Sequence, residues 1–256
     1  MPRTWLTPTL LLTLAISLAD RQATAASFYA PPAPDDESPV FSGQAELGYT
    51  NLSGNTDSET LIAKGRLTWL TGRMTHSLLG STRKIEEDDE SSAEQYLIAG
   101  RERYDLDGPH YLFGFARWEK ERFSGYRYQT TFISGYGRQV LAGPEHTLSL
   151  ETGPGYRRDA LENGEIKNLA VGYGALDYEW QISEGTSFQQ ELSVEGTREN
   201  VTTRTFTAIT TQLNASLALR ISHEVKHNSN PPQDEDDDDT QVNTDTTTAA
   251  SLLYHW

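Results

Sequence analysis

Polar and apolar residues alternate with a period of two through most of this 256-residue chain, and the alternation continues to the last residue. Near that end Ala250, Leu252, Tyr254 and Trp256 share one face. Thr247, Ala249, Ser251, Leu253 and His255 share the other. Successive side chains of a strand point to opposite faces, so this period fixes strands and gives each two unlike sides. A helix would repeat its apolar stripe about every 3.6 residues instead. A closing strand that ends on an aromatic is how bacterial outer-membrane barrels finish, and the chain is read as one. Leu252, Tyr254 and Trp256 are then the residues offered to the barrel-assembly machinery.

The start of the chain agrees. Arg3 precedes an apolar run from Leu6 to Leu18, and Ala23-Thr24-Ala25 is a small-x-small cleavage site, so residues 1–26 read as a signal peptide. The run is too short and too interrupted for a membrane helix, which needs about 20 apolar residues. Residues 27–40 carry Pro31, Pro32, Pro34 and Pro39 among acidic residues and read as an extended periplasmic tail. The barrel is assigned to residues 41–256. The chain has 0 Cys, which removes disulfides and thiol chemistry. A net charge of -16 argues against nucleic acid as a partner. Hydrophobic residues make up 36%, which suits a soluble protein or a barrel in which only alternate residues meet lipid.

The strands divide cleanly in several places. Phe41, Ala45, Leu47 and Tyr49 oppose Ser42, Gln44, Glu46 and Thr50; Leu61, Ala63, Leu67 and Trp69 oppose Thr60, Lys64, Arg66 and Thr68. Leu192 and Val194 oppose Glu191 and Glu195, and Leu219 and Ile221 oppose Arg220 and Ser222. Tyr111, Phe113 and Phe115 are assigned to lipid, although Leu112, Ala116 and Trp118 compete for it. Between Tyr173 and Trp180 both faces carry large residues, and a bulge is expected there. The count is about twelve strands in a closed antiparallel transmembrane β-barrel. Closure follows because an unpaired backbone group in hydrocarbon costs several kcal/mol. Short turns at Thr71-Gly72, Asp107-Gly108, Ala142-Gly143, Glu184-Gly185 and Asn214-Ala215 alternate with longer polar connections. These are placed at 51–57, 84–92, 119–125, 158–166, 197–203 and 228–244. That asymmetry puts both termini in the periplasm and the longer loops outside, facing lipopolysaccharide. A secreted soluble β-protein would share the alternation but not its combination with the export signal, the terminal strand and the unequal connections.

The inward face supplies the candidate functional residues. Lys64, Arg66, Arg83, Arg101 and Arg103 make the early strands mainly basic. Glu151, Glu191, Glu195 and Glu224 make the later ones mainly acidic, with Glu46, Arg220 and Lys226 as exceptions. Two readings stay open: a narrow water-filled lumen with a transverse field that selects small solutes or ions, or the same charges paired across the lumen and plugging it.

A lipid-acting enzyme is the alternative from another class. His223 lies on the apolar face while Ser222 points inward, so the two cannot form a nucleophile–base pair, and His76 has no evident nucleophile. There is no glycine-rich phosphate loop and no HExxH pattern. No cofactor is expected. The acidic runs 86–90 and 234–239 could associate weakly with divalent cations, but the second lacks the Gly and final Glu of a calcium loop, and a solvated, self-repelling loop is the simpler reading.

The chain also resembles the YdiY-type family of salt-induced outer-membrane proteins, which has no assigned activity. The likeness runs from Phe41 to Trp256. It rests on Gly43-Gln44-Ala45-Glu46-Leu47-Gly48-Tyr49 with Ser53-Gly54-Asn55-Thr56-Asp57, on Arg122-Phe123 with Ser134-Gly135-Tyr136-Gly137, and on Gly153-Pro154-Gly155-Tyr156-Arg157. Asn228-Ser229-Asn230-Pro231-Pro232 and Thr244-Asp245-Thr246 complete it. The resemblance implies an outer-membrane barrel linked to osmotic or acid stress and brings no catalytic residues. Trp256, where Phe is more usual, and the acidic last loop depart from the pattern.

Overall fold

The computed structural model describes residues 39–52, 58–87, 90–122, 124–231 and 243–256. The signal peptide, most of the tail and the run 234–239 lie outside the described residues. Twelve strands follow in chain order: β1 (Phe41–Leu52), β2 (Ser58–Thr71), β3 (Met74–Glu87), β4 (Glu90–Asp105), β5 (His110–Arg122), β6 (Tyr126–Ala142), β7 (His146–Leu161), β8 (Ile166–Ser183), β9 (Thr186–Gly196), β10 (Val201–Gln212), β11 (Leu217–Asn228) and β12 (Thr244–His255). Each pairs antiparallel with its sequence neighbours, and β12 returns to β1 to close the barrel.

The closing seam uses the terminal residues. Ala45 sits opposite Tyr254 and Leu47 opposite Leu252. Trp256 and Gly43 then exchange both backbone hydrogen bonds, each 3.1 Å. Gly43 leaves room for the Trp256 ring, since a Cβ there would lie 2.1 Å from it.

The burial pattern is inverted relative to a soluble protein. Leu47, Ile98, Phe132, Ile209 and Ile221 are exposed on the outer wall, whereas Arg101, Arg103, Glu195 and Asp159 are almost fully buried inside it. An outward apolar wall around a polar interior is the arrangement that lipid demands. Leu192 and Ile221 stand on that outer wall, at 37% and 59% exposure, not in a packed interior.

Three expectations need correction. First, Tyr111, Phe113 and Phe115 face inward, and Leu112 and Trp118 face outward. Register decides it: Phe113 and Phe115 pair with the inward Arg103 and Arg101 on β4. On the other side Tyr111 and Phe113 meet Gly137 and Gly135 of β6, which leave space for their rings. Second, β8 has no bulge between Tyr173 and Trp180. Its pairing with β7 is continuous, and the shift against β9 comes later, between Gln181 and Ser183. Third, several of the longer connections are mostly strand. β3 reaches Glu87 and β4 resumes at Glu90, and β7 runs to Leu161 with β8 starting at Ile166. Cross-strand pairing extends the ladder into residues whose polarity alone reads as loop. The connection after Asn228 stays long.

Candidate functional site

Inward-facing positions of all twelve strands meet in the lumen, and its two sides are filled differently. Along β4 to β8 the interior is occupied. Ala99, Tyr111, Phe113, Phe115, Ile133, Val171 and Tyr173 form a buried cluster. Arg101 lies over the Phe113 ring at 4.9 Å and Arg103 over the Tyr111 ring at 3.8 Å, so guanidinium faces extend the aromatic packing. Glu151 is held at its centre. It pairs with Arg101 and accepts from the Tyr111 hydroxyl at 2.9 Å and the Tyr173 hydroxyl at 3.4 Å. A carboxylate buried this deeply is tolerated because donors converge on both its oxygens.

A charge network crosses the lumen toward the end away from the termini. Glu119 on β5 takes Arg204 of β10 at 3.0 Å, Arg117 at 3.2 Å and Lys226 of β11 at 3.7 Å. Glu195 on β9 takes Arg117 at 2.8 Å and Arg204 at 3.3 Å. Glu121 joins Lys226 to Arg83 of β3. The network therefore ties strands that are not sheet neighbours and narrows the bore at its level.

A charge-lined cavity of about 150 Å³ remains along β1 to β3 and β9 to β11 and reaches Gln95 and Leu97 of β4 and Arg117 and Glu119 of β5. Lys64, Arg66, Arg204 and Arg220 line it with Glu46, Glu191 and Glu224, and Phe206, Ile62 and Leu79 supply its apolar patches. Glu46 accepts from Arg220 at 2.8 Å, and Lys64 approaches Glu224 at 3.8 Å. Glu191 accepts from Gln189 at 2.7 Å.

The early-basic, late-acidic order thus appears as particular contacts. Lys64 reaches Glu224 and Arg101 reaches Glu151 across the barrel. Arg103 instead turns to Asp105, two residues along its own strand, at 2.7 Å. Arg66 has no carboxylate partner among the described residues. Sequence reasoning missed Arg117, Glu119, Glu121 and Arg204. The first three follow from the inverted phase of β5; the signal that would have found them is the Arg101–Arg103 side of β4, whose register partners must share its face.

The histidines considered for catalysis lie on the outer wall. His76 stacks on Trp69 with ring centroids 5.2 Å apart, and its Nδ1 contacts the Glu102 carboxylate. His223 Nδ1 lies 2.9 Å from Thr248 Oγ1, and Ser222 is buried on the inner wall. Neither imidazole has both a hydroxyl nucleophile and an orienting acid among the described residues. No cluster of three or more His, Cys, Asp or Glu positioned to hold a metal occurs among the described residues.

Comparison with known proteins agrees with the fold. The sequence profile described as "Protein of unknown function, DUF481" matches residues 45–256. The chain is 36% identical over 193 residues to "Uncharacterized protein YdiY" of Escherichia coli (strain K12), covering 75% of this chain and 76% of that protein. Among solved structures it is similar to the COG4313 outer membrane channel from Pseudomonas putida F1, with a TM-score of 0.51 at 12% identity, covering 87% of this chain and 98% of that one. At that identity the likeness concerns the fold alone.

Proposed function

The chain belongs to the family of unknown function DUF481, which brings no assigned activity with it, and from its lumen we propose a narrow passive pathway for small polar solutes or ions across the bacterial outer membrane. The observation that carries this reading is the charge-lined cavity along β1 to β3 and β9 to β11, where Arg66 and Glu191 line the same space. A structural barrel would gain nothing from an inward-facing cation held without a carboxylate partner. Desolvating such a charge costs several kcal/mol unless water or a solute replaces its shell. The cross-lumen network of Glu119, Glu195 and their cations favours a second reading, a closed barrel whose role is mechanical. Both readings place the chain in the outer membrane, delivered there through its Leu252–Tyr254–Trp256 face. Any part in salt or acid tolerance rests on the family resemblance.

Conductance of the purified protein in planar bilayers separates the two. The pathway predicts small unitary currents and a cation-to-anion permeability ratio that rises in Arg66→Glu and falls in Glu191→Lys. The absence of current across salt concentrations and pH values would remove the pathway and leave the mechanical barrel.

A further inference from the structure

Among the described residues, Arg66 is a lumenal cation that the ion-pair network leaves out. The other inward-facing arginines and lysines described above each have a carboxylate within 4.0 Å. Arg66 stands on β2 between Gln44 of β1 and Leu79 of β3, neither of which can neutralise it. Glu191 of β9 lines the same cavity, and its register partner Asp177 of β8 is buried beside it. The site is thus a guanidinium and a carboxylate that line one lumenal space.

Three classes of small solute can be weighed against this arrangement. A simple anion gains Arg66 but approaches Glu191 and Glu46. A simple cation gains the carboxylates but approaches Arg66 and Arg220. A solute carrying both charges satisfies the two groups together, and a guanidinium recognises a carboxylate in a two-pronged geometry that suits orientation as well as attraction. The size is also selective: about 150 Å³ lies below the range of roughly 300–1,000 Å³ typical of pockets for drug-sized ligands. We propose that the cavity is a binding station for small zwitterions of the α-amino-acid class, with the carboxylate on Arg66 and the ammonium toward Glu191. Solute access to this station rests on the lumenal pathway proposed above.

The test uses the full chain in detergent, with glycine, acetate and methylammonium as probes and saturation-transfer NMR as the readout. Saturable glycine binding is expected, with acetate and methylammonium each bound about tenfold or more weakly. Arg66→Gln is expected to weaken glycine by about tenfold or more, the equivalent of one charge-assisted hydrogen bond. Glu191→Gln should weaken glycine but not acetate. Because Arg66 holds no ion pair, Arg66→Gln should retain the heat-modifiable gel mobility of a folded barrel, and a variant that lost it would be replaced by Arg66→Lys in the same assay. The proposal is overturned if folded wild-type protein shows no saturable glycine binding, if Arg66→Gln or Arg66→Lys binds as wild type does, or if acetate binds as well as glycine. Binding without conductance would overturn the pathway and keep the station. Conductance without binding would do the reverse.

Discussion

Glu119→Gln is expected to destabilise the folded barrel by about 3–5 kcal/mol, the usual consequence of removing one member of a buried ion pair. Glu119 is 3% exposed and is shared by Arg204, Arg117 and Lys226. Its loss leaves Arg83, Arg117, Arg204 and Lys226 to be balanced within the network by Glu121 and Glu195 alone. The amide can still accept a hydrogen bond but brings no charge, so the penalty is uncompensated desolvation rather than lost packing. Urea unfolding in detergent micelles, followed by tryptophan fluorescence, measures it as a lowered midpoint. The comparison is Glu94→Gln, which breaks a 3.6 Å pair with an Arg122 side chain that is 60% exposed and should change stability by less than about 1 kcal/mol. Adding Arg204→Gln to Glu119→Gln should cost less than the sum of the single changes, because the cation that suffered most is then gone. Equal midpoints for Glu119→Gln and wild type would mean that water in the lumen solvates these charges and that the network does not hold the barrel together.

The network also marks the limit of what the sequence discloses. Strand faces were legible wherever one side was uniformly apolar, as in β1, β9 and β11, because lipid outside and a polar lumen inside divide such a strand without ambiguity. β5 has large apolar residues on both sides at its start, Tyr111, Phe113 and Phe115 against Leu112 and Trp118. Composition cannot choose a face there, and choosing the wrong one inverts every position along the strand. That inversion assigned the aromatic cluster to lipid and hid Arg117, Glu119 and Glu121 from the list of lumenal charges. The choice is made by neighbours: inward arginines on β4 at one side and glycines on β6 at the other. β10 presents a weaker form of the same difficulty. Its run of threonines hardly alternates in polarity, so the inward Arg204 carried no visible face.

The order of charge along the chain had a different fate. It reads as two opposed walls because a barrel brings early and late strands face to face. Which cation meets which carboxylate depends on stagger between strands and on side-chain reach. Arg101 and Glu151 meet, whereas Arg103 folds back to Asp105 and Arg66 is left facing open space. Even where pattern puts a charge on the right wall, geometry decides whether it closes a pair, as Arg101 does, or lines open space, as Arg66 does.

The second large effect concerns the seam between β6 and β7, where glycines allow an unusually close approach. Gly153→Ala is expected to cost at least about 3 kcal/mol, the upper end for overpacking, and to deplete the heat-modifiable folded species. A Cβ on Gly153 would lie 2.1 Å from the Ser134 carbonyl oxygen and 2.7 Å from the Gly135 Cα. Both are backbone atoms, so no side-chain rotation relieves the contact, and the strands must separate. They must do so beside Pro154, which has no N–H to donate to the ladder. Separation would also disturb Gly135 and Gly137, which make room for the Phe113 and Tyr111 rings, and with them the buried cluster that fills this side of the lumen. Gly65→Ala is the matched control: a Cβ there meets nothing within 4 Å. Removing a glycine from a strand interior should then gain roughly 0.5–1 kcal/mol through the unfolded chain. Semi-native gel mobility and urea midpoints of the two variants in the same detergent give opposite signs if the close approach is real. A Gly153→Ala barrel that folded like wild type would show that β6 and β7 stand further apart, and that some other feature keeps Tyr111 and Phe113 inside.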